Sequence, residues 1–321
     1  MKRSHRWGIA TVVCASMLVG CVGACKFILD TQFFSGYDAN LSLDAVIREQ
    51  KSTDAYRREE ILFTAIQGSQ IPALMVLPHE ADSQEPAPCI IFLHGIGQNK
   101  EFLDEIAEPF TRAGFAMITF DQYMRGERRL DDPGPLEEIL AFRQRGALTV
   151  IETRRVVDYL ETRADIDAER IYLVGASYGA ITGSTAVALE PRIQAVVLVY
   201  GGGNMPSLMD SPMIRDELGA WAPFLIQIAS WYLAPADPIQ YVHRIAPRPI
   251  LFQHGRADSV VPPESAKALY EAAREPKTFY WYEGDHIGLD EATVREVLDD
   301  ALEWLQARDA QVLAGETLTA D

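Results

Sequence analysis

The stretch Ile171–Gly183, IYLVGASYGAITG, decides the fold of this chain. Its first four residues are aliphatic or aromatic and lead into a serine surrounded by small residues. A short apolar run of this kind fits a buried strand, and a helix is expected after Tyr178. The pattern Gly-x-Ser-x-Gly at a strand-to-helix turn exposes the serine hydroxyl at the carboxyl end of a sheet. Ser177 is therefore a candidate nucleophile, although a serine at this place can also be a helix N-cap.

The segments on either side of this turn alternate between strand and helix patterns. Apolar or β-branched runs predict strands at 61–66, 71–77, 89–93, 115–120, 171–174, 195–199, 250–252 and 278–282. Helical patterns cover 100–113, 136–162, the segment after Tyr178, 263–273 and 290–307. Gly68 lies in a tight turn between the first two strands, which predicts a hairpin. We expect an α/β fold with a mostly parallel central sheet, helices on both faces and an antiparallel N-terminal hairpin.

Two further strand ends carry the groups that a serine nucleophile requires. A serine hydroxyl is a weak nucleophile at neutral pH, so it needs a base and a group that orients this base. Asp258 follows the strand 250–252, and His286 follows the strand 278–282. Because the carboxyl ends of parallel strands meet at one edge of a sheet, we predict that Ser177, Asp258 and His286 form a catalytic triad.

Residues near these positions offer alternative roles. Asp258 could instead bond the backbone of its own turn. Glu283 and Asp285 lie closer to His286 in sequence, but adjacent side chains point apart, so Asp285 is poorly placed to orient its neighbour. His254 also ends a strand, only four residues before Asp258, which leaves no separate strand end for the acid.

The oxyanion of an acyl-transfer reaction must be met by donors that are fixed in advance. The backbone N–H of Tyr178, directly after the candidate nucleophile, is one such donor. The second is expected from the loop after the strand 89–93, where the N–H of Ile96 is the first choice and that of Gly97 the alternative. We expect His94 to pack against this loop and anchor it.

Residues 201–249 are the main candidate for a substrate-binding region, as a small cap over the pocket. Their aromatic side chains could form an apolar wall for an acyl or alcohol group, namely Trp221, Phe224, Trp231 and Tyr232. One face of this segment could equally pack on the domain.

Two residues beyond the strand 115–120, Tyr123 and Arg125, could also reach the pocket. Arg125 could bind a substrate carboxylate, because guanidinium groups match carboxylates in shape and charge. The neighbouring charges favour a local cluster of ion pairs instead. They are Arg128, Arg129, Asp131 and Asp132.

The N-terminal residues have the pattern of an export signal. Three basic residues precede the apolar run Trp7–Gly20, which is short for a membrane span. The segment Leu18–Cys21 resembles the lipobox of bacterial lipoproteins. We therefore expect lipidation at Cys21 and anchoring to a bacterial membrane that faces the periplasm or the cell exterior. Cleavage after the small residues 22–24, which gives a soluble secreted protein, is the alternative.

These features divide the chain into four parts. We expect a signal peptide over 1–20 and a tether with an amphipathic helix near 41–48 over 21–58. A catalytic domain is expected over 59–307, followed by a C-terminal tail over 308–321.

The composition excludes several classes of partner and scaffold. The chain has 321 residues with a formal net charge of −17, and loss of the basic signal peptide makes it more acidic still. Such a surface repels nucleic acid. The four cysteines imply no disulfide framework and have no metal-site spacing with histidines.

Five short motifs together resemble those of the α/β-hydrolase superfamily. They are His94–Gly97, Phe120–Arg128, Gly175–Gly179, His254–Pro263 and Glu283–His286. The chain is most similar to the dienelactone-hydrolase-like and small bacterial carboxylesterase branch, which borders the catalytic domains of prolyl-oligopeptidase-type peptidases. The similarity covers about residues 59–307 and implies the α/β-hydrolase fold.

The resemblance implies a serine hydrolase that cleaves small or medium-sized carboxylic esters through an acyl-enzyme, with no metal or organic cofactor. Hydrolysis of an amide, a peptide or a thioester is the alternative, and a hydrolase fold can also serve as a non-catalytic binding protein. Dienelactone hydrolases proper use a cysteine nucleophile. Because position 177 is serine, the resemblance does not extend to their lactone chemistry.

Overall fold

The computed structural model describes residues 23–287, 291–316 and 318–319, so the signal peptide and Cys21 lie outside the described residues. The chain divides into two units, Met1–Gly36 and Tyr37–Asp321. In the described part of the first unit, helix α1 covers 23–31. None of the helices in the described part of the chain combines the length and the hydrophobicity that a membrane span requires.

The described residues of the second unit form a nine-stranded sheet in the order β1-β2-β3-β5-β4-β6-β7-β8-β9. The strands are β1 Val46–Ser52, β2 Arg57–Thr64, β3 Gln70–Leu77, β4 Ala87–Leu93, β5 Ala116–Phe120, β6 Ile166–Ala176, β7 Ile193–Val199, β8 Ile250–Gly255 and β9 Lys277–Tyr282. Strands β1 to β3 pair antiparallel, β3 pairs antiparallel with β5, and the remaining pairs are parallel. The predicted mostly parallel sheet with antiparallel N-terminal strands is confirmed.

Helices cover both faces of this sheet. They are α2 Leu103–Arg112, α3 Pro135–Leu160, α4 Tyr178–Leu189, α5 Met205–Met209, α6 Pro212–Leu218, α7 Ala222–Leu233, α8 Pro263–Ala272 and α9 Glu291–Ala314. Helices α2 and α9 share one buried apolar cluster with the sheet, and α3, α4 and α8 share the other. Every residue of β4 is buried because the strand has a helical layer on each side.

The helix expected near 41–48 is wrong. Residues 41–45 form neither helix nor strand, and strand β1 begins at Val46 and pairs antiparallel with β2 at the edge of the sheet. All seven residues of β1 are exposed, so the strand has no buried face that a sequence pattern could show. Hydrogen bonds from β2 decide its conformation. The sheet therefore begins before residue 59, the expected start of the domain.

The residues directly before β1, from Tyr37 onward, are hydrogen-bonded to α3 and do not form a separate tether. The buried guanidinium of Arg155 in α3 donates to the carbonyl oxygens of Asp38 at 3.2 Å and Leu41 at 2.8 Å. The hydroxyl of Tyr37 donates to Asp158 at 2.7 Å. Two of these three contacts use backbone carbonyls, which leave no signature in the sequence.

The expected boundary of the C-terminal tail at 308 is also wrong, because α9 continues to Ala314. The guanidinium of Arg170 at the start of β6 donates to both carboxylate oxygens of Asp309, at 2.8 and 2.6 Å. The hydroxyl of Tyr172 donates to the same carboxylate at 2.8 Å. These charge-assisted bonds fix the last turns of α9 against the sheet.

Candidate active site

Ser177 lies at the sharp turn between β6 and α4, in a backbone conformation that is unfavourable for a residue with a side chain. Its φ is 53° and its ψ is −116°. Such a conformation costs about 1–3 kcal/mol and persists only where the surroundings enforce it. The N–H of Ser177 donates to the Val199 carbonyl at 2.8 Å, which ties the turn to β7.

Two glycines make this turn sterically feasible. A Cβ on Gly175 would lie 2.4 Å from the carbonyl oxygen of Gly179, and a Cβ on Gly179 would lie 1.8 Å from that of Leu93. Both partners are backbone atoms and cannot move aside. Close packing of α4 on β4 and β6 therefore requires glycine at both positions, which explains the spacing Gly-x-Ser-x-Gly.

The structure brings together the three residues predicted to act as a triad. The Oγ of Ser177 lies 2.9 Å from Nε2 of His286, and Nδ1 of His286 lies 2.7 Å from Oδ2 of Asp258. Asp258 is buried, whereas the side chain of His286 is 13% exposed. The strands that carry them, β6, β8 and β9, run parallel in the sheet with β7 between β6 and β8, so their carboxyl ends lie at one edge in the predicted way.

The other carboxylate oxygen of Asp258, Oδ1, has the turn-stabilising role that was considered as the alternative. Oδ1 accepts from the backbone N–H groups of Val260 at 2.9 Å and Val261 at 2.8 Å. One carboxylate oxygen thus fixes the loop after β8, and the second faces His286. The carboxylate cannot rotate without losing both sets of bonds.

The rival acids and the rival histidine have other partners. Asp285 accepts from the backbone N–H groups of Ser259 and His286, each at 2.7 Å, and so joins the two loops. Glu283 forms a salt bridge with Arg256. Nε2 of His254 lies 3.0 Å from the carbonyl oxygen of Val261. Burial lowers the pKa of His254 to about 4, so its ring is neutral at physiological pH.

Sequence reasoning missed Tyr200, which follows β7. Its φ is 53°, and its ring lies between two histidines, with centroid distances of 5.3 Å to His254 and 5.7 Å to His286. The contact with His286 is edge-on, which limits the positions that the imidazole can take. A Cβ on Gly255 would come within 2.8 Å of the Tyr200 ring, so this glycine makes room for it. A lone tyrosine at the end of a strand gives no distinct sequence signal.

The loop after β4 approaches the nucleophile closely. A Cβ on Gly95 would lie 3.8 Å from Cβ of Ser177, and the N–H of Gly95 donates to Oε1 of Gln98 at 2.9 Å. Ile96 and Tyr178, the first-choice oxyanion residues, border the same cavity as Ser177. Gly97, the alternative, borders a separate depression.

His94 is fully buried at the start of this loop, and its Nδ1 lies 2.9 Å from the carbonyl oxygen of Gly95. Burial lowers its pKa to about 4. The amide of Gln122 donates to the His94 carbonyl at 3.0 Å. The packing and anchoring position expected for His94 agrees with these contacts.

Sequence reasoning also missed Arg145, a fully buried residue of α3. One guanidinium nitrogen donates to Oε1 of Gln122 at 2.8 Å, and another to the carbonyl oxygen of Ile96 at 3.2 Å. The guanidinium carbon lies 4.4 Å from the centroid of the Tyr178 ring. Burial lowers the pKa of Arg145 to about 10. Arg145 thus contacts both residues whose amides were predicted to bind the oxyanion.

The loop after β5 places the other predicted pocket residues outside the apolar cavity described below. The guanidinium of Arg125 donates to the Ile96 carbonyl, and no carboxylate in the described chain pairs with it. Arg128 pairs instead with buried Glu152 through two bonds of 2.7 Å, and it lies over the Tyr123 ring. The local ion-pair cluster expected around Arg125 is therefore wrong.

A largely apolar cavity of about 190 Å³ opens beside Ser177. Its wall comes from the loop after β4, from helices α3 to α7 with the turn after α7, and from the loop after β8. The lining residues are Ile96, Phe142, Arg143, Gly146, Ser177, Tyr178, Ile181, Thr182, Met205, Leu208, Met209, Met213, Ile214, Leu233, Ala236, Val260 and Val261.

The aromatic wall predicted for this pocket does not line it. The side chains of Trp221, directly before α7, and of Phe224 and Trp231 within it are 71%, 60% and 50% exposed. The Tyr232 ring packs under the guanidinium of Arg143 at 4.8 Å. Apolar residues dominate α7 and its polar residue Ser230 is buried, so the sequence does not reveal which face of the helix is buried. Methionines and leucines of the cap line the cavity in place of the aromatic residues.

Known proteins resemble this chain in sequence and in structure. The model of the dienelactone hydrolase family matches residues 71–307. Esterase YjfP of Escherichia coli strain K12 is 27% identical over 216 residues, which cover 64% of this chain and 82% of that protein. Acetyl xylan esterase from Paenibacillus sp. R4 superposes with a TM-score of 0.68 at 18% identity, covering 85% of this chain and 98% of that one. Acetyl xylan esterase 1 from Thermoanaerobacterium sp. JW/SL YS485 gives 0.63 at 18% identity, covering 84% and 92%.

The two solved structures share the fold with this chain, and the family match extends from β3 into α9, across the strands that carry the site. The chain has the α/β-hydrolase fold and belongs to the dienelactone hydrolase family.

Proposed function

We propose that this protein hydrolyses carboxylic esters through an acyl-enzyme formed on Ser177. The observation that carries the proposal is the continuous hydrogen-bonded chain from Ser177 through His286 to Asp258, at the mouth of an apolar cavity. A serine held in a strained conformation beside a histidine is typical of an activated nucleophile.

The first half of the reaction transfers the acyl group to the enzyme. Nε2 of His286 accepts the Ser177 proton while Oγ attacks the carbonyl carbon, and the carbonyl electron pair moves to oxygen. The backbone N–H groups of Tyr178 and Ile96 stabilise this oxyanion. When the intermediate collapses, the alcohol leaves with the proton from His286.

The second half returns the enzyme to its starting state. His286 takes a proton from water, the resulting hydroxide equivalent attacks the acyl-enzyme, and Ser177 recovers its proton as the carboxylic acid leaves. Asp258 keeps the proton of His286 on Nδ1 and stabilises the imidazolium. The amides of Val260 and Val261 hold this carboxylate in place.

The names of the relatives favour ester hydrolysis over the other reactions of the superfamily. YjfP and the two acetyl xylan esterases are named as esterases. Hydrolysis of amides, peptides or thioesters uses the same triad and oxyanion donors, so it is the second outcome of the test below. A non-catalytic role is disfavoured, because a binding protein has no need for strain at Ser177.

The proposal is tested with p-nitrophenyl esters and a fluorophosphonate probe on the purified protein and on Ser177→Ala. We expect hydrolysis and labelling in the wild type and loss of both, by at least about 1,000-fold in kcat/KM, in the variant. Labelling without ester turnover would redirect the assignment to amides and thioesters. A folded protein that neither reacts with the probe nor turns over esters would refute it.

A further inference from the structure

The cavity beside Ser177 lies on the side of the nucleophile where the acyl group must go. In the first half-reaction, His286 hands a proton to the leaving alcohol, so the alcohol occupies the His286 side. Of the described residues, those lining the cavity include both predicted oxyanion residues, Ile96 and Tyr178, but not His286. The substituent that extends from the carbonyl carbon into this cavity is therefore the acyl chain.

The walls of the cavity have almost no polar groups to offer. Three methionines, Met205, Met209 and Met213, come from α5 and α6, with Leu208 and Leu233 beside them. Unbranched thioether side chains adapt to irregular apolar shapes. A charged or hydroxylated acyl chain would lose its hydration here without compensating hydrogen bonds.

Arg143 lines the cavity and is the one charged residue to do so among the described residues, but it is already engaged. Its guanidinium donates to the Tyr232 carbonyl and lies 4.8 Å from the centroid of the Tyr232 ring. To reach a carboxylate in the cavity, Arg143 would have to leave both contacts. The geometry therefore favours an uncharged chain.

Gly146 keeps the cavity open. It lies inside the 26-residue helix α3, where glycine costs up to about 1 kcal/mol relative to alanine. Packing does not demand glycine here, because an added Cβ would meet only the Ala236 Cβ and the Tyr178 hydroxyl, each at 3.8 Å. Its φ is not positive either. Gly146 and Ser177 line the same cavity, so a larger side chain at Gly146 would take up cavity volume.

We propose that this cavity is the acyl-binding site for an uncharged, linear acyl group of about six to eight carbons, and that Gly146 sets its length. An apolar cavity of about 150 Å³ is large enough for a six-carbon benzene ring, and the volume here is about 190 Å³. The inference rests on the proposed ester hydrolysis and specifies its substrate class.

The chain-length profile is the first test. With p-nitrophenol as the constant alcohol, kcat/KM is expected to rise about fourfold per methylene from acetate towards octanoate and to fall beyond about decanoate. The monoester of adipate, which carries a terminal carboxylate, should be at least about 100-fold worse than hexanoate. In a set of acetate esters, lengthening the alcohol should change kcat/KM much less.

Three variants test the role of the cavity walls. Gly146→Leu should lower kcat/KM for octanoate about 250-fold more than for acetate, because the new side chain replaces about four carbons of the substrate at about fourfold each. Met209→Ala should move the maximum of kcat/KM to longer acyl chains, because it removes a side chain that lines the cavity. Gln144→Leu adds the same side chain at an exposed position of α3 and should keep the wild-type profile.

The outcomes separate this inference from the proposed function. If Ser177-dependent ester hydrolysis occurs with a flat acyl profile, or with selectivity only in the alcohol set, the acyl assignment is overturned while the esterase stands. A preference for adipate over hexanoate would also overturn it. If Gly146→Leu does not fold, the shift in Met209→Ala decides the question, and an unchanged optimum there counts against the proposal. If the wild-type protein hydrolyses none of these esters, the proposed function itself is refuted.

Discussion

Contacts with backbone atoms, more than the catalytic reaction, determine which residue types are allowed next to Ser177. Gly179→Ala would place a Cβ 1.8 Å from the Leu93 carbonyl oxygen. We expect this change to lower the free energy of unfolding by more than about 3 kcal/mol, because α4 must move away from β4. Denaturant titration measures the loss, and Ser177 labelling should fall in parallel.

Gly146→Ala is the matched control for that substitution. Its new Cβ meets nothing closer than 3.8 Å, and alanine is the better helix former. We expect the free energy of unfolding to rise by about 0.5–1 kcal/mol. A destabilised Gly146→Ala would show that packing, rather than substrate space, keeps glycine at this position.

Arg145 should act as a positioning residue for the oxyanion donors. Arg145→Met removes the bond to the Ile96 carbonyl and the contact with the Tyr178 ring. We expect kcat to fall about 10–100-fold with little change in KM, because the donors serve the transition state more than the bound substrate. Arg145→Lys should recover part of kcat, and Arg112→Met on the surface of α2 is the control. An equal loss in kcat for both methionine variants would refute this role.

The buried histidines should make the fold sensitive to acid. Burial lowers the pKa of His254 to about 4, whereas in the unfolded chain it is about 6.5. Between these values the unfolded state binds a proton that the folded state does not. Stability from this group is therefore complete above pH 6.5 and is lost as the pH falls towards 4.

His254→Gln keeps a donor near the Val261 carbonyl and removes this titration. The drop in unfolding free energy between pH 7 and pH 5 should be about 2 kcal/mol smaller in the variant than in the wild type. Chemical denaturation at the two pH values measures it, and the same change at exposed His79 is the control. An identical pH dependence in His254→Gln and wild type would contradict the neutral buried state of His254.

At the level of helices and strands, the sequence predicts best those elements whose buried residues form a regular apolar pattern. Strands β4 to β9 are short apolar runs between turn residues, and the Gly-x-Ser-x-Gly turn marks the junction of β6 and α4. Strand β1 escaped prediction because all of its residues are exposed and its partner β2 determines its conformation. Helix α7 was not among the predicted helices, because its segment was predicted only as a possible cap, and its mainly apolar sequence does not reveal which side is buried.

The candidate site divides in the same way. Ser177, Asp258 and His286 each follow a predictable strand, so their convergence could be inferred from the order of elements. Arg145 could not be inferred, because an arginine within a helical pattern ordinarily lies at the surface. Its burial depends on the carbonyl of Ile96 and the amide of Gln122, which belong to distant loops.

For the whole molecule, the N-terminal sequence predicts where the protein resides. We propose that the chain is exported and lipidated at Cys21, which remains a prediction from the lipobox. Globomycin, an inhibitor of the lipoprotein signal peptidase, should cause the precursor to accumulate, and so should Cys21→Ala. Mass on denaturing gels and partition into detergent measure processing and anchoring. Normal processing in both cases would indicate a soluble secreted protein.

Mapping the site of covalent modification shows whether Ser177 forms the acyl-enzyme. The wild-type protein, Ser177→Ala and His286→Ala are each treated with the fluorophosphonate probe, digested and analysed by tandem mass spectrometry. We expect one phosphonylated serine, Ser177, in the wild type and no adduct in Ser177→Ala. Labelling of His286→Ala should be at least about 100-fold slower than that of the wild type. A probe adduct on any other residue, or full labelling of folded Ser177→Ala, would contradict an acyl-enzyme on Ser177.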